Sequence, residues 1–292
     1  MANLKAIRLR ITSVKSTQQI TKAMKMVSAA KFRKAQDAIL RMRPYANKIN
    51  EIVEPLANGM DDLSANPYFQ VRNVSKVLVI AVASDKGLCG SFNSYIARET
   101  NKVIEQNKTE NYTIDFIAIG KKINDFLIRK GIKPIETYFD LSGNLPFSKA
   151  ENIAQTILDF FAEKKYDEIR IIYNAYKNPA VFVPTNDKYL PLDVRSLSGS
   201  HAKHSTHIDF IFEPSEVKII QELIPASLKV KFYRVLLESN AAEHGARMTA
   251  MDKATENAEE LLHELKLFYN KERQAAITKE LLEIVSGAQG LN

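Results

Sequence analysis

A single cysteine among 292 residues, Cys89, excludes an internal disulfide, so nothing in the chain calls for an oxidising compartment and the cytoplasm is the expected setting. No run of about 18 uncharged apolar residues occurs, which excludes a membrane-spanning helix of the usual kind. Lys5, Arg8 and Arg10 interrupt the first apolar residues before a secretory core can build up, and the pattern continues without the break that a cleavable presequence would leave. Glycine is missing from Leu4 to Leu56, and between Pro225 and Gly287 there is only Gly245. Paired carboxylates, a Ser-His-Asp set and a His-Glu-x-x-His run at diagnostic spacing are all lacking, so no self-contained catalytic site is expected. Internal repeats and low-complexity tracts are lacking too.

The glycine-free ends read as long helices. Leu4, Ile7, Ile11 and Val14, then Ile39, Met42, Ala46, Ile49, Val53 and Leu56, recur at three- and four-residue steps. Pro44 lacks an amide donor and is expected to kink or split this helix near Arg41. Between the two sets, Gln18, Gln19 and Met24 to Ala30 are expected to leave the heptad and meet other neighbours. At the other end, Ala258, Leu261, Leu265 and Phe268, then Ile277, Leu281, Ile284 and Ala288, mark a second seam, with Pro225 fitting its first turn. Some sixty helical residues at about 1.5 Å each would span roughly 90 Å, more than a domain of this mass needs, so such a helix is expected to project.

The net charge of +7 is strongly polarised. Residues 1–55 carry twelve Lys and Arg against Asp37, Glu51 and Glu54, whereas acids outweigh bases from residue 208 onward. Two seams that cannot be hidden alone, on helices of opposite charge, favour an antiparallel two-stranded coiled coil. A basic helical nucleic-acid-binding or scaffold protein is the alternative. An acidic helix alongside would cancel much of the basic field, and Phe32 and Tyr45 are the only rings in the basic stretch, so base stacking is poorly served.

Between the ends, Lys76 to Ala83 is a nearly continuous apolar run of the kind buried on both faces of a parallel sheet. Alternating segments follow: a helix over 92–106, a strand near 112–119, a helix near 121–130, a strand near 133–139, a helix over 148–165 and a strand over 168–173. That order predicts an α/β domain with mostly parallel strands. Val181–Pro184 and Tyr189–Val194 are expected to form a hairpin, Ser196–His207 a mobile loop, and Ile208–Phe212 a last strand.

Ser84–Asn93, SDKGLCGSFN, follows the first strand and opens a helix, where glycine-rich loops can hold phosphate. Gly87 and Gly90 do not fit the dinucleotide spacing and no Walker Lys-Ser/Thr pair follows, so a tight structural turn is expected and no nucleotide cofactor. Cys89 beside Lys86 has the setting of an activated thiol, and packing is the expected role. His201, His204 and His207 stand at three-residue intervals without a fourth ligand nearby, so no metal is expected.

Four stretches carry a family likeness: Ile20–Gln36 (ITKAMKMVSAAKFRKAQ), the Ser84–Asn93 turn, Glu238–Leu262 (ESNAAEHGARMTAMDKATENAEELL) and Leu265–Leu291 (LKLFYNKERQAAITKELLEIVSGAQGL). In this order the chain resembles, over almost its full length, the gamma subunits of rotary F-type ATP synthases. The resemblance implies an α/β fold class: a long antiparallel coiled coil of the terminal helices with an inserted Rossmann-like domain. The expected divisions are 1–57 and 213–292 for the paired helices and 74–212 for the α/β domain. It implies a non-catalytic rotor shaft without cofactors, whose partners are the alpha and beta subunits, an epsilon subunit and the c-ring. The expected location is peripheral, on the cytoplasmic face of a bacterial inner membrane. Met24, Lys25, Arg247, Arg273, Gln274 and Thr278 match positions that meet the beta subunits or affect coupling. Phe210 and Glu213 match the segment at the c-ring, with Phe where some relatives carry Tyr. Ile284, Val285, Ala288 and Leu291 match the apical bearing.

Overall fold

A computed structural model describes residues 4–59, 66–110, 112–141, 143, 145–179, 181–192 and 216–289. The chain divides into two compact units, Met1–Ser28 with Arg247–Asn292, and Ala29–Ala246. Helix α1 (Leu4–Gly59) and the last helix, α5 (Glu216–Gln289), each contribute to both.

In the first unit α1 and α5 run antiparallel. Arg8 meets Tyr269, Thr21 meets Thr255 and Lys25 meets Asp252, so partners descend along α5 as they ascend along α1. In this unit the less exposed residues of α1 include Ile7, Ile11, Val14, Gln18, Thr21, Lys25 and Ser28, an unbroken alternation of four- and three-residue steps, with Leu4 and Met24 half-buried as well. The expected departure from the heptad near Gln18 is therefore absent. The seam continues, with polar residues in place of apolar ones. On α5 the matching seam is Met251, Thr255, Ala258, Leu262, Leu265 and Tyr269. Leu262 and Tyr269 take the places expected for Leu261 and Phe268, because adjacent apolar residues left the sequence pattern ambiguous by one position.

Both prolines lie inside helices. α1 passes through Pro44 without interruption, correcting the expected split. Leu40, whose carbonyl loses its amide partner at Pro44, is 51% exposed, so water can take the vacant acceptor. α5 begins at Glu216, and Pro225 stands inside it instead of in its first turn. Gln221, four residues earlier, is again on the exposed side.

The second unit is built on a five-stranded sheet of order β3-β2-β1-β4-β5. Its strands are β1 (Lys76–Val82), β2 (Thr113–Ile119), β3 (Glu136–Tyr138), β4 (Glu168–Asn178) and β5 (Val181–Leu190), and its helices α2 (Phe92–Glu110), α3 (Lys121–Arg129) and α4 (Phe147–Ala162). β1 pairs in parallel with β2 and β4, β2 pairs in parallel with β3, and β4 pairs antiparallel with β5. The pleat sends Leu78, Ile80 and Val82 into a core with α4 and parts of α1 and α5. Val77, Val79 and Ala81 point the other way, into a core with α2 and α3. The crossovers through α2 and α3 lead outward from β1 on one face, and the crossover through α4 returns to β4 on the other, which is why β1 is covered on both. α4 supplies Ala150, Ile153, Ala154, Ile157, Leu158 and Phe161, one stripe at helical spacing.

The hairpin is not the one expected around Thr185–Lys188. Val181–Leu190 is one strand, and the chain reverses between β4 and β5. The polar run Thr185–Lys188 stays extended because it sits opposite Tyr173, Ile172, Ile171 and Arg170. The loop and last strand expected over 196–212 lie outside the described residues.

Candidate functional site

Two places in the fold could carry function: the reversal of strand order between β1 and β4, where doubly wound sheets commonly bind ligands, and the helix pair of the first unit.

At the reversal the Ser84–Asn93 turn is occupied by the protein itself. Ser84 N–H donates to Asn93 Oδ1 at 3.1 Å, and Asn93 Nδ2 donates to Cys89 Sγ at 3.2 Å. Asn174 Nδ2, from β4, donates to the Phe92 carbonyl at 3.0 Å. Cys89 and Phe92 are buried against Ala242 and Ala246 of α5, with Tyr176 and Phe182 closing the cluster. A Cβ on Gly245 would stand 2.7 Å from the Pro179 carbonyl oxygen, so α5 lies against the backbone here. Asp85, within the motif, accepts from the amides of Lys121 and Asp140, both at 3.0 Å, and so caps α3. Every polar group of the motif named here is used to hold the turn. The thiol is packed, as expected from its place at a helix start.

Also in the second unit, an open groove of about 540 Å³ has Lys34, Arg41 and Tyr45 along α1 and Leu145, Phe147 and Tyr233 opposite. Its lining includes no carboxylate, imidazole or thiol, so it offers contact and not bond-making. Among the described residues no group of His, Cys, Asp and Glu has the arrangement of a metal site. His201, His204 and His207 lie outside the described residues.

The residues singled out in the sequence fall mostly on the helix pair. Met24 is half-buried and Lys25 is paired with Asp252. Arg247 is buried and engaged in interactions of its own. Arg273, Gln274 and Thr278 lie on an exposed face, with the Thr278 hydroxyl donating to the Gln274 carbonyl at 2.9 Å. Ile284 is 68% exposed and Val285 53%. The side chain of Ala288, and Phe210, Glu213 and Leu291, lie outside the described residues. Sequence reasoning missed the partners on the facing helix: Asp252, Thr255 and Tyr269. Their polar character at seam spacing was the available signal.

Arg8 Nη2 donates to the Tyr269 hydroxyl at 2.9 Å, and its guanidinium carbon lies 5.8 Å from the ring centroid. The polar chemistry of this unit joins helix to helix. Among the described residues no helix is long and apolar enough to cross a membrane.

An antiparallel two-helix shaft together with a doubly wound α/β unit defines a class of stalk protein. The family described as ATP synthase matches residues 3–291. The ATP synthase gamma chain of Cytophaga hutchinsonii is 50% identical, with all of both chains covered. Among solved structures, a central-stalk chain of the Tetrahymena thermophila mitochondrial ATP synthase aligns with a TM-score of 0.62 at 26% identity, covering 80% of this chain and 99% of that one. A chain of the Euglena gracilis mitochondrial ATP synthase shares the fold, with a TM-score of 0.69 at 20% identity over 99% of this chain and 94% of its own. The chain belongs to the ATP synthase gamma-chain family, and it is a central-stalk subunit.

Proposed function

We propose that this chain is the non-catalytic rotor shaft of a rotary ATP synthase, coupling ion flow through a membrane c-ring to ATP synthesis and hydrolysis in an alpha-beta head. The observation that carries this reading is the end of α5. Because α1 begins only about one turn before Arg8, α5 beyond Arg273 has no counterpart along α1 among the described residues. Ile277, Leu281, Leu282, Ile284 and Val285 nevertheless lie on it with 47–68% of their surface exposed. A helix carrying five such side chains into water is stabilised by an apolar sleeve. The proposed sleeve is the top of the hexameric head, bearing on Ile284, Val285, Ala288 and Leu291.

Met24, Lys25, Arg247, Arg273, Gln274 and Thr278 are assigned to contact or coupling with the beta subunits, and Phe210 and Glu213 to the c-ring beside an epsilon subunit. The stretches 1–57 and 213–292 form the shaft and 74–212 the α/β domain. The assembly sits peripherally on the cytoplasmic face of a bacterial inner membrane. An asymmetric shaft in a pseudo-threefold collar can hold three catalytic sites in different states only by touching each beta subunit differently. A thousandfold difference in nucleotide affinity needs about 4 kcal/mol of differential contact. Several charged and steric contacts suffice for that.

The test is co-purification of the tagged chain. ATPase-active alpha and beta subunits in the eluate are the expected result. Nucleic acid without ATPase would overturn the reading.

A further inference from the structure

Four successive seam positions of α1, at Gln18, Thr21, Lys25 and Ser28, are polar, following Ile7, Ile11 and Val14 in the same seam. Polar residues in a two-stranded seam lower stability and fix register, because a slipped helix separates donors from acceptors while apolar side chains tolerate several settings. Here the donors and acceptors meet. The Thr255 hydroxyl lies 2.8 Å from the Thr21 hydroxyl and 2.7 Å from the Met251 carbonyl of its own helix; when its proton is donated across to Thr21, the Thr21 hydroxyl donates in turn to the Gln18 carbonyl at 3.0 Å. The Lys25 ammonium is paired with the Asp252 carboxylate. Thr21 and Lys25 are one turn apart on α1, as are Asp252 and Thr255 on α5, so the two pairs close into a single clasp.

We propose that Thr21, Lys25, Asp252 and Thr255 are the register lock of the shaft: positioning residues that set the height along α5 at which the side chains beside Met24 stand. Ile20, Met26 and Val27, each more than half exposed, are the side chains whose height along the shaft the lock sets. A slip of one turn would move them by about 5.4 Å along the axis. The inference rests on the rotor-shaft reading. The Lys25 and Asp252 side chains are 41% and 42% exposed, so losing the pair loosens register without unfolding the helices.

The experiment uses the whole complex reconstituted in vesicles and reads protons pumped per ATP hydrolysed. Asp252→Asn is expected to lower this ratio about threefold, and Thr255→Val to lower it in the same direction by less. Adding Thr21→Cys and Thr255→Cys to Asp252→Asn and oxidising with diamide places a disulfide where the hydroxyls met. That bond is expected to restore the ratio to within about twofold of the unaltered complex, since it fixes register with no charge present. Normal pumping by both Asp252→Asn and Thr255→Val, or a loss that the disulfide leaves unrepaired, overturns the lock. Failure of the rotor-shaft reading shows separately, as absence of ATPase subunits on the unaltered chain.

Discussion

Asp85 and Asp167 hold opposite ends of β1 to their neighbours by accepting backbone amides. Asp167 takes the amides of Ser75 and Lys76, both at 2.9 Å, and the Ser75 hydroxyl at 2.7 Å. Burial pushes its carboxyl up, but those three donors and the nearby Arg72 charge outweigh it and hold the carboxyl below its ordinary value. A depressed folded value means that the contribution to stability is complete above the unfolded value near pH 4 and is lost as pH falls through the folded one. Asp167→Asn is therefore expected to lower the Tm of the chain at neutral pH and to flatten its decline below about pH 4, read from thermal melts across pH. Gly245 makes a steric demand at the same scale. A methyl group there meets the carbonyl oxygen of Pro179, which is backbone and cannot rotate away. Gly245→Ala is expected to cost about 1–3 kcal/mol in urea unfolding.

At the scale of elements, the apolar run at β1, the stripe of α4 and the glycine-free ends were legible because each is a local pattern set by burial. Interruptions were harder to read. Whether a proline breaks a helix depends on whether water reaches the carbonyl it strands, and only the packed structure places Leu40 and Gln221 on exposed faces. Pro44→Ala gives that carbonyl an amide again and removes the ring's steric conflict, so the isolated chain is expected to gain about 1–3 kcal/mol, seen as a higher Tm. The hairpin was misplaced because a polar run on an edge strand looks like a turn until its partner is known. The clasp was out of reach for a related reason. Thr21 and Thr255 are 234 residues apart, and only the register of two long helices brings them together. The candidate coupling residues are marked by resemblance alone, since their chemistry is completed by surfaces that other chains provide.

For the whole molecule, the sequence places cations at one end and acids at the other, and the first unit turns that polarity into paired helices joined by Arg8–Tyr269 and Lys25–Asp252. Among the described residues the same antiparallel pairing leaves the end of α5 without a counterpart on α1, so its role depends on what surrounds it. Two roles can be separated. If the end anchors the shaft, the apolar side chains of Ile277, Leu281 and Leu282 hold most of the contact, each contributing up to about 1.5–3 kcal/mol on full burial. Ile284, Val285 and the residues after them then act only as a bearing, where Ser286 and Gly287 permit close approach, and a Cβ on Gly287 would meet nothing within 4 Å in the chain alone. Deleting residues 286–292 spares the anchor and removes the outer part of the bearing. The complex is expected to assemble, to keep ATP hydrolysis within about threefold of the intact rate, a barrier change below about 1 kcal/mol, and to rotate in a single-molecule assay. Complete failure to assemble would place the anchor in those last residues and end the bearing interpretation, because a surface meant to slide cannot also be the one that holds.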